Sequence, residues 1–374
     1  MPLSKDVIEK ISIETIRVLK SRFDTISDGD IKIRNMPFHM AFLRAFYGKI
    51  GINDDNEALK FLTLSQWFHG LSTTLGQSYF ENIAHILSNG EKKTFKNYKI
   101  KKSVRDKISE IINDLKSGER LPNVEEEDKE LREATLKNSE YVNGLNFTAD
   151  VYFEDRDKVV MIELKSVRPN AGEMRGEKQK ILYGKAYMME TKPDKKVYYF
   201  IGFPYDPTEN PENPCGYDKD RFMNSLIEFS KYFDKREVLI AEELWSFLSG
   251  EKKTMEKILD IINSIAKPDF KEKFDFINTF PFINQDRLYT KDAIDEQKFK
   301  KYIEILQEWK LYSEIECAKA VKELSLLKLP SKDRRIFERL INNSMFSSNN
   351  KYNENRRMKI LELYKKYIKN TTQP

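Results

Sequence analysis

Two short apolar runs in the middle of the chain constrain its fold more than any other feature. Residues 147–153 are Phe-Thr-Ala-Asp-Val-Tyr-Phe, residues 159–165 are Val-Val-Met-Ile-Glu-Leu-Lys, and the polar residues 154–158 join them. Runs of this length, rich in β-branched and aromatic residues and separated by a short polar segment, are typical of a β-hairpin. The sequence therefore predicts a sheet with Asp150 in one hairpin strand and Glu163 and Lys165 at the end of the other.

The alternation of side chains along the second run puts its charged residues on the same side. Glu163 and Lys165 lie on one face of a strand, and Leu164 lies on the other. If the hairpin pairs so that Asp150 lies opposite them, two carboxylates and one ammonium meet at one spot. Buried charges are costly without a partner, and Mg²⁺ takes one or two carboxylates together with water and phosphate oxygens. The pattern therefore predicts Asp150 and Glu163 as ligands of a metal that activates water against a phosphodiester.

Lys165 is the third predicted catalytic residue, and the sequence leaves its role open. It could orient the attacking water, help to deprotonate it, or stabilise the charge that builds up on the phosphorane oxygens. The alternative is a structural ion pair, since the pattern Glu-x-Lys occurs seven times in the chain. Only Glu163 follows four consecutive apolar residues and has an aspartate in the adjoining predicted strand. This context favours the catalytic interpretation.

In these residues the chain resembles the PD-(D/E)xK nuclease superfamily. Asp150, a gap, and then Glu163-Leu164-Lys165 match the superfamily's acid followed by Glu-x-Lys, although Ala149 replaces the proline of the motif. The resemblance implies a mixed sheet flanked by helices. The chain that follows fits this expectation, because its pattern predicts helices at 176–190, 221–233 and 242–248 and strands at 197–203 and 237–241.

More narrowly, residues 163–180 look like those of type II restriction endonucleases of the TdeIII group. The run Pro-Asn-Ala-Gly-Glu-Met-Arg-Gly-Glu-Lys at 169–178 carries most of this resemblance. The resemblance implies Mg²⁺-dependent cleavage of double-stranded DNA at a short symmetric, G/C-containing site by a homodimer. It also implies that a DNA methyltransferase protects the host genome, as a genetic partner and not as a stable complex.

A third carboxylate is predicted on a helix that precedes the hairpin. Residues 72–88 have helical spacing, after a break at Gly70, and Glu81 lies in the middle of that helix. Many nucleases of the superfamily place an acid from such a helix beside the metal. By resemblance, Glu81 is the candidate third metal ligand, and the alternative is an exposed surface glutamate.

The segment after the catalytic strand starts next to the scissile phosphate and is therefore expected to contact DNA. Arg and Lys donate to guanine, while Asn and Gln pair with adenine in the major groove. A lysine-rich stretch at 91–107, with eight basic and two acidic residues, is either a further phosphate-binding surface or an ordinary exposed segment. The predicted DNA-binding residues are Arg168, Asn170, Arg175, Lys178, Gln179 and Lys180.

The predicted fold is α/β, with a mixed central sheet flanked by helices as in restriction endonucleases and with helical N- and C-terminal regions. We expect an N-terminal helical region at 1–122, a catalytic core at 123–250, and a C-terminal helical region at 251–374 for dimer or DNA contacts. The chain has 374 residues, of which 40% are hydrophobic and 33% charged, as expected for a globular protein.

Composition also bears on the cellular compartment. Two cysteines cannot build a disulfide framework. The sequence has neither a basic-apolar leader nor an apolar run of membrane-spanning length. We therefore expect a cytoplasmic protein without a membrane partner.

Two other functions fit the same residues. One is a repair or recombination nuclease that recognises the structure of DNA and not its sequence. The other is a non-catalytic DNA-binding protein on the nuclease fold, which the intact Asp150, Glu163 and Lys165 argue against because a pure binder has no need of buried carboxylates that face phosphates.

Overall fold

The structure is a computed structural model, and it describes residues 3–27, 36–166 and 171–367. The chain forms two compact units. The sheet unit comprises Gly76–Lys257, and the helical unit comprises Leu3–Leu75 together with the chain from Ile258 onward. All the strands that the structure describes lie in the sheet unit.

The helices and strands have these bounds. The α-helices are α1 Lys5–Ser27, α2 Met36–Leu43, α3 Tyr47–Ile50, α4 Asp55–Thr74, α5 Phe80–Ser88, α6 Lys102–Ser117, α7 Val124–Leu136, α8 Ala171–Thr191, α9 Lys219–Ser225, α10 Phe229–Tyr232, α11 Glu242–Ser249, α12 Thr254–Ile265, α13 Phe270–Ile277, α14 Glu296–Glu308, α15 Tyr312–Leu324, α16 Ser331–Ile341 and α17 Glu354–Tyr367. The strands are β1 Glu91–Phe95, β2 Lys99–Lys101, β3 Tyr141–Asn143, β4 Phe147–Glu154, β5 Lys158–Leu164, β6 Lys196–Phe203 and β7 Val238–Ile240.

Five strands form one mixed sheet in the order β1-β4-β5-β6-β7. The edge strand β1 and the hairpin β4–β5 pair antiparallel, whereas β5, β6 and β7 run parallel. The parallel pairing of β5 and β6 requires a long connection, which α8 supplies. The remaining strands, β2 and β3, form a separate two-stranded sheet.

Helices cover both faces of this sheet. On one face α8 comes so close that a methyl group at Gly184 would lie 2.7 Å from the ring of Tyr199 on β6. On the other face α11 packs through Leu244 near Gly202, and α5 meets α11 where the rings of Phe80 and Trp245 lie 6.2 Å apart. The predicted mixed sheet flanked by helices is confirmed.

The predicted hairpin and the later predicted elements are present with small shifts of their ends, except that the helix predicted at 221–233 is divided into α9 and α10. The break predicted at Gly70 is wrong, because Gly70 lies inside α4, which runs to Thr74. A π-helical turn, Leu75–Tyr79, then joins α4 to α5. The helix predicted at 72–88 is therefore divided among the end of α4, this turn and α5, which begins at Phe80. An isolated glycine costs a helix only about 1 kcal/mol, which neighbouring packing offsets. The short strands β1, β2 and β3 were not predicted.

The helical unit has a core of its own. Trp309, Tyr302 and Phe270 are fully buried in it. Two charged residues are buried with them: Arg356 donates to Glu314 at 2.8 Å, so both charges are compensated. None of the helices that the structure describes is long and apolar enough to cross a membrane.

Candidate active site

The hairpin pairing brings Asp150 and Glu163 to the same place on the sheet. Val151 pairs with Ile162 and Tyr152 with Met161. Continuing this register by one residue places Asp150 opposite Glu163, on the same face. The carboxylate of Asp150 also accepts a hydrogen bond of 3.0 Å from the backbone N–H of Leu164. The convergence expected from the sequence is thus present, with Glu163 on the face of the sheet that α8 covers.

A β-bulge in β4 lies at Asp150. Glu91 of β1 pairs with Tyr152 and Lys93 pairs with Ala149, so Asp150 and Val151 together oppose the single residue Lys92. Bulges are common next to active sites, where they adjust the direction of a side chain. The backbone carbonyl of Asp150 is also in contact with His85 Nε2 of α5, at 2.7 Å. The bulge and the histidine together fix the position of the aspartate in β4.

The environment of Glu163 favours a bound cation. Its side chain is buried, and this burial, followed by the charge of Asp150, raises the pKa of Glu163 to about 7, against the opposing effect of Lys180. Its Oε2 atom is buried and has no hydrogen-bond partner among the described residues. A buried carboxylate oxygen without a partner, beside a second carboxylate, suits an oxygen-preferring divalent ion. The residues at this site therefore fit Mg²⁺.

Lys165 follows directly after β5 and lies among three carboxylates. Its Nζ atom is 2.7 Å from Glu177, 3.2 Å from Glu173 and 3.4 Å from Glu163. Burial lowers the pKa of Lys165, but the hydrogen bond to Glu177 and the charge of Glu163 outweigh it and the pKa is raised. Lys165 is therefore a protonated cation in this arrangement, suited to donating hydrogen bonds and not to accepting a proton.

Helix α8 adds two residues that the sequence did not assign in this way. Lys180 lies 2.7 Å from Glu163 and 2.7 Å from Glu177, one turn earlier on the same helix. The sequence placed Lys180 among the DNA contacts, and it gave Glu177 no role in the site. Glu177 and Lys180 are spaced i,i+3 on the helix that follows β5. This spacing is the signal in the sequence that could have predicted their pairing.

A lysine connects Glu81 to the site. Lys92 donates to both carboxylate oxygens of Glu81, at 3.0 and 3.1 Å, and lies 3.4 Å from Asp150. Lys92 thus lies between the two carboxylates. Within residues 3–27, 36–166 and 171–367, no group of three or more His, Cys, Asp or Glu residues is arranged to hold a metal. The role of Glu81 as a third ligand stays a prediction.

The structure contradicts the predicted DNA contact of Lys178. This side chain is fully buried and lies 2.6 Å from Glu127 of α7 and 2.6 Å from Glu237. Lys178 therefore ties α8 to α7 and to the start of β7, and it has no surface to offer to DNA. Removal of Lys178 would leave two buried carboxylates without a cation, which is strongly destabilising.

The other predicted DNA-binding residues lie in different environments. Arg175 is exposed on α8, and Gln179 is half-buried one turn further on. Arg168 and Asn170 lie outside the described residues. None of these predictions is tested by the geometry.

The fold and this site together are those expected of a nuclease of the restriction-endonuclease type. Residues 3–266 match the family described as type II restriction endonuclease, HinfI. The chain is 93% identical over 368 residues to a protein named Type II restriction enzyme MjaII from Methanocaldococcus jannaschii, and the match covers 98% of this chain and all of that protein. The chain belongs to the HinfI family of type II restriction endonucleases, and it is a type II site-specific endonuclease.

This membership refines the interpretation of the sequence. It agrees with the PD-(D/E)xK pattern and favours the restriction enzyme over the repair nuclease and the non-catalytic binder. The matching family is that of HinfI, and the narrower resemblance to the TdeIII group stays a prediction.

Proposed function

We propose that this endonuclease makes Mg²⁺-dependent double-strand cuts in DNA at a short symmetric, G/C-containing site, using the PD-(D/E)xK residues Asp150, Glu163 and Lys165. The observation that carries the proposal is the meeting of Asp150 and Glu163 on one face, with an unpartnered carboxylate oxygen on Glu163. Within the PD-(D/E)xK superfamily, we keep the resemblance to the TdeIII group as part of the proposal.

Asp150 and Glu163 would hold the ion, with Glu81 as a third candidate. When bound, Mg²⁺ polarises the scissile phosphate and lowers the pKa of a bound water. Asp150 is held for this task by the N–H of Leu164. Glu163 is buried beside it, so its negative charge attracts a cation more strongly than an exposed carboxylate would.

Lys165 would stabilise the charge that develops on the phosphate oxygens. Of the three roles that the sequence left open, this one and water orientation suit a lysine that keeps its proton. Glu177 holds the Lys165 ammonium at 2.7 Å and so acts as a positioning residue. Lys180 pairs with Glu163 and limits the repulsion between the two carboxylates.

The remaining parts of the proposal concern the partners. Arg168, Asn170, Arg175 and Gln179 lie on or near the segment that leaves the catalytic strand and are the proposed DNA contacts. Two identical subunits would read a symmetric site and cut one strand each. Such an activity requires a methyltransferase that protects the host DNA, as a genetic partner only. Residues 123–250 would carry the catalysis.

A plasmid digest with variants tests the proposal. We expect discrete fragments from the unmodified protein with Mg²⁺, and a loss of at least roughly 100-fold in rate for Glu163→Gln and Lys165→Met. Both variants should still bind DNA in Ca²⁺. Lys158→Met is the matched control, because Lys158 lies at the far end of β5 beside Asp155, and it should cut normally. Unchanged cleavage by Glu163→Gln would contradict the proposed site.

A further inference from the structure

Two helices of the helical unit expose an unusually apolar surface. Phe38 and Phe42 of α2, Phe46 just after it, and Phe61, Leu64 and Phe68 of α4 are between 46% and 74% exposed. The first three are spaced i, i+4, i+8 and the others i, i+3, i+7, so each set forms one helical stripe. Helices α2 and α4 are in contact with each other. We call these six residues the apolar face.

The same segments are depleted of charge. The eight residues of α2 and the fourteen from Phe61 to Thr74 contain no Asp, Glu, Lys or Arg. At the chain's overall charged content of 33% they would hold about seven, and loss of charged residues is the compositional mark of an interface core. A helix that is apolar on its exposed side requires a partner surface.

The size of the apolar face fits a protein–protein contact. Its five phenylalanine rings expose roughly 600 Å² if a fully exposed ring side chain offers about 200 Å². Leu64 and the backbone between the stripes raise the area toward the ~800 Å² that each partner contributes to a stable interface. The face carries no cations, so it does not suit the DNA backbone.

We propose that the apolar face is the surface through which two copies of this chain form a dimer. This inference rests on the proposed homodimer and adds the surface that forms it. In a two-fold dimer the same patch serves both subunits, so a single self-complementary apolar face is sufficient. Aromatic residues are enriched in such interfaces, and replacing a few of them removes a large share of the binding energy.

Charge placed on the apolar face tests the proposal. Sedimentation velocity should show a dimer for the unmodified protein. Phe42→Glu and Phe68→Glu should each weaken the dimer by at least roughly 100-fold, because each would bury an unpaired carboxylate at the interface. The matched control is Leu136→Glu, since Leu136 is an exposed leucine at the end of α7 outside the apolar face, and it should leave the dimer intact. Far-ultraviolet circular dichroism spectra should be the same for all four proteins, which shows that each variant is folded.

A footprint of the unmodified protein keeps the proposal testable if a variant fails to fold. Hydroxyl-radical oxidation of Phe38 and Phe42 should fall as the protein concentration rises through the dimerisation midpoint. Dimers that persist in both variants, or oxidation that stays constant while dimers form, would overturn the proposed surface but leave the catalytic proposal standing. A protein that remains monomeric at every concentration and still cuts DNA would remove both the surface and the homodimer.

Discussion

Lys92 shows how strongly a single residue can influence the candidate metal site. Its ammonium bonds to both oxygens of Glu81 and lies 3.4 Å from Asp150. Two of the three predicted metal ligands are therefore paired with the same side chain of the protein itself. A metal that binds these carboxylates has to displace that lysine, at a cost in affinity.

Removal of the Lys92 charge should therefore strengthen metal binding. We expect Lys92→Met to bind Mn²⁺ several-fold more tightly in the absence of DNA, because Glu81 and Asp150 lose their internal cation. Isothermal titration calorimetry measures this affinity. Lys93→Met is the control, since the Lys93 ammonium lies 3.7 Å from the centre of the Tyr152 ring, away from the carboxylates. Equal or weaker binding by Lys92→Met would show that the lysine does not compete with the metal.

The contact between α8 and the sheet holds the hairpin β4–β5 in place. Gly184 allows the helix to lie directly on Tyr199 and Phe147. Lys178 and Lys185, both buried on the same helix, pair with Glu127 and Asp128 of α7. The helix that carries Glu177 and Lys180 into the site is thus positioned by close packing and by buried ion pairs.

Replacement of Gly184 by Ala should loosen this contact. The added methyl group would lie 2.7 Å from the Tyr199 ring, which is itself buried. Overpacking costs roughly 1–3 kcal/mol and the better helix propensity of Ala returns about 1 kcal/mol, so we expect a net loss. Gly176→Ala on the same helix meets nothing within 4 Å and should be stabilising. Urea unfolding of the two variants measures the difference, and equal stabilisation by both would argue against the close contact.

Asp234 joins the start of β7 to the start of α7. Its carboxylate accepts from the backbone N–H of Val124 and from Arg236. Partial burial raises the pKa of Asp234, but these hydrogen bonds outweigh it and the pKa falls to about 2. Since the folded-state pKa lies below its ordinary value, the carboxylate stabilises the fold above about pH 4, and this contribution is lost as the pH falls toward 2.

Asp234→Asn should therefore lower stability in a pH-dependent way. We expect a loss of about 1 kcal/mol at pH 7, after allowance for solvent screening of a partly exposed group. The difference from the unmodified protein should shrink as the pH falls below 4, and urea titrations at several pH values measure it. A difference that stays the same at low pH would mean that the carboxylate charge does not contribute.

The two units of the chain have different proposed roles, and the proposed homodimer adds a second copy of each unit. The sheet unit holds Asp150, Glu163 and Lys165, whereas the apolar face belongs to the helical unit. In the proposed homodimer, which has one active site per subunit, a double-strand cut needs two competent subunits.

A mixed dimer of one unmodified subunit and one Lys165→Met subunit should therefore nick DNA. Co-expression with two different tags allows its isolation, and gel electrophoresis separates nicked from linear plasmid. We expect open-circular product at a rate close to that of the first cut by the unmodified enzyme. Direct linearisation at the normal rate would show that one active site cuts both strands.

The sequence predicted the parts of this molecule that local patterns determine. The hairpin follows from its β-branched residues, and the shared face of Asp150 and Glu163 follows from alternation along the strands. Long-range pairing determines the rest. Lys92 reaches Asp150 only because β1 pairs with β4, and Lys178 is buried only because α7 and the start of β7 bring two carboxylates to it. No local pattern distinguishes Lys178 from the neighbouring Lys180.

The position of the metal tests the central claim most directly. Crystals soaked with Mn²⁺ and measured at its absorption edge should show an anomalous peak between the carboxylates of Asp150 and Glu163, with oxygen ligands at ~2.1–2.2 Å. The Glu163→Gln variant should lose that peak while its fold stays the same. A peak bound elsewhere, or its persistence in Glu163→Gln, would contradict the assignment of these carboxylates as the metal ligands.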